Sequence, residues 1–153
     1  MERIRCNNET SWILNQPYFI SKDECFTLYL GDTIGILPEI KHKRIKEQWD
    51  IDVKVDKSSR QLDFAVNNNG KLFFIECNFY GGGGSKLKST ATEYIEMNRY
   101  WNKQGIEFIW ITDGAGWKST MKPLGEYFDK ADYLLNLEML KDKILTQILK
   151  QYE

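Results

Sequence analysis

Asp63 and Glu76 are the residues of this sequence whose surroundings point to chemistry. They lie in the short apolar runs Leu62–Val66 and Lys71–Cys77, and the Asn67-Asn68-Asn69-Gly70 between the runs is a strong β-hairpin signal. A two-residue turn at Asn69-Gly70 sets Asp63 directly across from Glu76 on neighbouring antiparallel strands. Directly opposed residues have Cβ atoms about 4.5–5.5 Å apart, where two carboxylates repel. Glu76 is also hemmed in by Phe73, Phe74, Ile75 and Phe79, and an ionised carboxylate is costly in such surroundings unless it is paired. A divalent cation removes both difficulties. Hard cations such as Mg²⁺ take oxygen ligands, often one or two carboxylates, with water and phosphate in the remaining positions. Strand alternation puts Asn78 on the same face. The competing reading is local, with Asp63 capping or pairing nearby and Glu76 neutralised by an arginine or lysine.

Gly81-Gly82-Gly83-Gly84-Ser85-Lys86-Leu87-Lys88 follows, a backbone able to approach a ligand closely and then open a helix. A P-loop needs GxxxxGK[ST], which Gly84-Ser85-Lys86-Leu87 breaks, so no nucleotide cofactor is expected. His42 is the single histidine and sits among lysines, which leaves a hydrolase triad unsupported. Cys6, Cys25 and Cys77 are odd in number and lack CxxC spacing, against both a disulfide framework and a zinc site. With 153 residues, 42% hydrophobic, 14% aromatic and a formal charge of −1, the chain suits one well-filled domain without overall basicity. No apolar run spans a bilayer and no signal-peptide pattern opens the chain, so a soluble, cytoplasmic protein is expected, with no membrane partner.

These residues need a scaffold. Residues 1–20 give no clear element. Phe26–Leu30 and Ile34–Leu37 around Gly31-Asp32-Thr33 suggest a hairpin, whereas Ser21 with Glu24 suggests a capping box starting a helix, and the two stay open. A short helix is expected over Pro38–Gln48, and a half-buried strand where Ile51, Val53 and Val55 alternate with Asp52 and Lys54. Beyond the glycines, Leu87, Ala91, Tyr94, Ile95, Asn98 and Trp101 recur at helical spacing, so a helix runs from Ser85 or Ser89 to about Gln104, ended by Gly105. Ile106–Thr112 is a buried strand, parallel to its predecessor across this crossover. A helix from Ser119 or Thr120 to Lys130, a strand over Tyr133–Leu135 and an amphipathic helix over Leu137–Lys150 complete the pattern. Glu47 could add a carboxylate, but an exposed helical acid is the expectation.

A mixed α/β sheet with a central hairpin, flanking helices, and acids on neighbouring strands resembles the PD-(D/E)xK restriction-endonuclease-like core. That pattern has Glu-x-Lys, whereas Glu76-Cys77-Asn78 puts an amide in the lysine's place. The longer string Ile75-Glu76-Cys77-Asn78-Phe79-Tyr80, the glycines and Ser85-Lys86-Leu87, followed by Ile106–Gly114 and Gly116-Trp117, resembles the DpnII/MboI family of type II restriction endonucleases. The resemblance covers about residues 60–140. It implies one domain, with residues 56–153 as nuclease core and 1–55 as a less defined N-terminal part. Family members are longer, so the chain reads as a catalytic domain, a fragment or a compact relative.

The resemblance further implies Mg²⁺-dependent double-strand cutting of DNA at GATC. Asp63 and Glu76 then hold the metal, which activates water and polarises the phosphate. Asn78 belongs to the catalytic group, and Lys86 reaches in as the cation. Gly83, Gly84, Ser85, Lys86 and Lys88 face the DNA backbone, and Asp113, Trp117 and Lys118 lie in the loop after the next strand. A palindromic target implies a homodimer. The rivals are a non-catalytic DNA-binding module on the same fold and a repair or junction-resolving nuclease.

Overall fold

The computed structural model describes residues 34–57 and 60–150, of which 34–40 by backbone alone. Among them, a sheet of five strands runs in the order β1-β2-β3-β4-β5. Its strands are β1 (Ile34–Lys41), β2 (Gln61–Asn68), β3 (Lys71–Phe79), β4 (Glu107–Asp113) and β5 (Leu134–Leu135). The pairs β1–β2 and β2–β3 are antiparallel, whereas β3–β4 and β4–β5 are parallel. The expected hairpin is therefore central. Asn69 and Gly70 take φ of 52° and 91°, as a turn with two left-handed positions requires, and its strands pair from Asn68↔Lys71 to Phe64↔Ile75.

Helices cover both faces. Alternation sends Ala65, Leu72, Phe74, Phe108 and Trp110 to one side, under α2 (Ser85–Asn102) and α3 (Met121–Lys130), with Ile45 of α1 (His42–Trp49) at the margin. Phe64, Val66, Phe73, Ile75, Ile109 and Ile111 go to the other, under α4 (Leu137–Lys141) and α5 (Ile144–Lys150). Helix α2 buries Leu87, Ala91, Met97, Asn98 and Trp101, and Gly105 ends it at φ 75°. Because α2 joins β3 to β4, it lies across the face that carries Asp63, Glu76 and Asn78.

Three elements differ from expectation. Pro38 lies within β1, opposite Phe64, and the helix starts at His42. A proline, lacking an N–H, is tolerated in a strand at a sheet edge, which β1 forms among the described residues. Ile51, Val53 and Val55 are half-buried between exposed neighbours, yet form no strand. The Gln104 side chain substitutes for a ladder partner: its Oε1 accepts from Lys54 N at 3.0 Å and its Nε2 donates to Lys54 O at 2.9 Å. The last helix is broken at Lys143, whose φ is 61°. Leu140 and Leu149, two and a half turns apart, would point to opposite sides of a straight helix, and the break lets both reach one sheet face. The proposed pairing of Ile34–Leu37 with Phe26–Leu30 and the Ser21 cap fall partly or wholly outside the described residues.

The turn after β3 and the loop after β4 lie backbone to backbone. Tyr80 N donates to Asp113 O at 3.0 Å and Gly116 N to Tyr80 O at 2.9 Å. A Cβ at Gly116 would come within 2.5 Å of Gly82 O, whereas one at Gly81 meets nothing within 4 Å. Gly116→Ala should therefore destabilise the fold by about 1–3 kcal/mol, while Gly81→Ala stays near neutral, as read by urea denaturation. Equal effects would reject this account of the contact.

Candidate active site

One residue beyond the Phe64↔Ile75 pair, the register sets Asp63 against Glu76, and there the backbone ladder gives way to a side chain. Asp63 Oδ2 accepts the Cys77 N–H at 2.9 Å. Both acids are buried, each 6% exposed. Burial first, and then the Asp63 charge and hydrogen bond, push Glu76 well above the usual carboxylate range. Without a cation, that shift favours the protonated form of Glu76 over the charged one. Two facing carboxyl groups fit a hard cation, which would replace that proton. Among the described residues no group of three or more His, Cys, Asp or Glu could hold a metal, so a cation here relies on two carboxylates plus water or substrate oxygens.

Around the pair stand residues that spacing did not single out. Arg60, three positions before Asp63, holds Asp56 through Nε and Nη2 at 3.1 and 2.5 Å, and Glu93 of α2 through Nη2 at 3.1 Å. Its charge draws Glu76 down, while that of Glu93 pushes it up. An ion pair between residues 33 apart leaves no periodic signal in a sequence. The arginine's position just ahead of Asp63 was the available clue.

The other expected residues divide. Asn78 shares the face with Glu76, but its amide is engaged: Trp110 Nε1 donates to Asn78 Oδ1 at 3.0 Å, and Asn78 Nδ2 to the Tyr94 hydroxyl at 3.4 Å. Lys86 is exposed, with Nζ 5.9 Å from the centroid of the Tyr80 ring. Gly84, Ser85 and Lys88 are exposed along the same strip. Gly83 is exposed too, but its Cα abuts the loop after β4, since an added Cβ would meet Ser119 Oγ at 2.3 Å. Asp113 spends both oxygens on backbone amides, Gly114 N at 2.7 Å and Leu137 N at 3.0 Å, and so anchors α4. Trp117, expected at the DNA surface, is a core residue instead, 5% exposed, with its indole N–H on Thr112 Oγ1 and its ring edge-on to Tyr80 and Trp110. Lys118 beside it is exposed, as is Glu47 on α1; His42, expected in solvent, is half-buried, with Nδ1 lacking a partner.

The sheet and its facing acids define a mixed α/β protein with a two-carboxylate centre at one end of the central hairpin. The family profile described as DpnII restriction endonuclease matches residues 22–147, and the chain belongs to that family. The type II restriction enzyme MjaIII of Methanocaldococcus jannaschii is 48% identical over 112 residues, 71% of this chain and 39% of that protein. LlaDCHI of Lactococcus lactis subsp. cremoris is 45% identical over 125 residues, covering 79% of this chain and 41% of its own. DpnII of Streptococcus pneumoniae is 35% identical over 119 residues, 74% and 41% of the two chains. The chain thus spans about two fifths of the length of these relatives. No solved structure matches it.

A raised Glu76 stabilises the folded protein below the ordinary glutamate value of 4.5, and that contribution is lost as pH rises through the higher folded value. Metal-free protein should therefore lose thermal stability as pH rises from 4.5 towards 8, by at most about 1.4 kcal/mol per pH unit for one proton. Glu76→Gln should flatten the profile and melt higher than wild type at pH 8. Parallel profiles for the two proteins would reject the shared proton.

Proposed function

We propose that this chain is the catalytic part of a type II restriction endonuclease that cuts both strands of duplex DNA at GATC with Mg²⁺. The observation that carries the reading is the buried Asp63–Glu76 carboxyl pair, an arrangement that is costly without a cation and suited to one with it. Family membership and relatives named as type II restriction enzymes support it. A central hairpin carrying the acids, then a helix and a parallel strand, is consistent with a PD-(D/E)xK core over residues 56–153 of a single cytoplasmic domain. No helix among the described residues is long and apolar enough to cross a membrane.

A divalent cation at the pair supplies Lewis-acid chemistry, making water a stronger acid and polarising a phosphate oxygen. The residues of the chain do the rest. Asp63 and Glu76 provide the anionic oxygens, and the Cys77 N–H fixes one Asp63 oxygen so that the carboxylate keeps its orientation. The exposed residues Gly84, Ser85, Lys86 and Lys88 would meet a DNA backbone, with Lys86 as the cation offsetting charge on the leaving oxygen, and Lys118 would add charge beyond them. Asn78 acts through position, held by Trp110 and Tyr94. One such site cuts one strand, so a palindromic target calls for two copies of the chain.

With Mg²⁺ and a plasmid bearing GATC sites, the purified chain should give ends that map to GATC. Asp63→Ala and Glu76→Ala should each lower cutting by at least about a hundredfold while keeping the circular dichroism spectrum and most duplex binding. Wild-type rates in either variant would reject the site, and duplex retention without cleavage by wild type would make the chain a binding module.

A further inference from the structure

Arg60 is held more closely than a surface arginine needs to be. Its side chain is 12% exposed and joins two elements, the segment leading into β2 through Asp56 and helix α2 through Glu93. The two grips are unequal. Asp56 takes Nε and Nη2 in a fork, whereas Glu93 takes Nη2 alone through one oxygen, is 41% exposed and is shared with Lys57 at 3.3 Å. Glu93 can therefore release the guanidinium and keep a cationic partner. The guanidinium stands within electrostatic reach of Glu76, three residues ahead of Asp63. The amide at the position where a PD-(D/E)xK core carries its lysine is engaged by Trp110 and Tyr94. A guanidinium carries a permanent charge and paired donors that suit phosphate oxygens, and a lysine can supply the charge alone.

We propose that Arg60 is a phosphate-binding residue of this site: it keeps Asp56 and exchanges Glu93 for a DNA backbone phosphate beside the carboxyl pair. The inference rests on the reading of the chain as acting on DNA. In the free protein Glu93 then serves as a placeholder for that phosphate, keeping the arginine extended and partly desolvated. The rival role is a plain structural tie between the segment before β2 and α2. The roles differ in sign: breaking a tie from either end has the same effect, whereas removing the arginine and removing its placeholder have opposite effects on DNA.

The test uses the full chain and a fluorescent GATC duplex, with anisotropy measured in EDTA over a range of salt so that no strand is cut. Arg60→Gln should bind more weakly and flatten the slope of log affinity against log salt by about 0.9, the loss of one phosphate contact. Arg60→Lys should restore the slope, and Glu93→Gln should bind more tightly than wild type. Circular dichroism on each variant excludes misfolding, and Arg60→Lys still decides the matter if Arg60→Gln does not fold, because a slope below that of wild type would then count against the proposal. An unchanged slope for Arg60→Gln, or weakened binding by both Arg60→Gln and Glu93→Gln, would overturn it. If wild type binds the duplex but never cuts it with Mg²⁺, the nuclease reading fails while the slopes still score Arg60. If wild type does not bind the duplex, both fail.

Discussion

Two carboxyl groups buried against each other cannot both carry charge in a low-dielectric setting without a cation between or beside them. That constraint organises the rest of the structure. The β2–β3 register brings Asp63 and Glu76 together, α2 closes over the face they share, and burial beside the Asp63 charge raises the Glu76 pKa. A polar pair set into a face shared with Ala65, Phe74, Phe108 and Trp110 weakens the core locally. Natural chains keep such features where function needs them, and the proposed cation centre would be such a need.

The side chains around the pair, and Asp63 itself, are each tied down by a further hydrogen-bonding group. Asp63 is fixed by the Cys77 N–H, Asn78 by Trp110, Trp117 by Thr112 and Arg60 by Asp56. Ring contacts among Tyr80, Tyr94, Trp110, Trp117 and Tyr127 fill the space between the sheet and its helices. Rigid neighbours of this kind let a site hold its geometry. The glycine strip fits the same scheme. Gly83, Gly114 and Gly116 serve loop-on-loop packing, whereas Gly81, Gly82 and Gly84 of the strip have open space in front of them.

Short-range signals carried most of the fold. The Asn69-Gly70 turn, the alternation in β2 and β3, the helical spacing from Leu87 to Trp101 and the stop at Gly105 all depend on neighbours within a few residues, and all recur in the structure. Where the reading failed, the cause was a partner far along the chain. Pro38 lies in a strand paired with β2, the backbone of Lys54 in the 51–55 segment bonds to the Gln104 side chain and not to a strand, and the break in the last helix lets two leucines reach one face.

The candidate site divides in the same way. The facing of Asp63 and Glu76 was legible in the sequence, because turn type fixes register and register fixes facing pairs. Only the tertiary structure decided what each neighbour is for. It sent Trp117 inward, gave the Asn78 amide to Trp110, and drew Arg60 and Glu93 from opposite sides of the hairpin into one ion pair beside the acids. Burial and charge pairing depend on what the rest of the chain brings to a point in space, and no local pattern of residues records that.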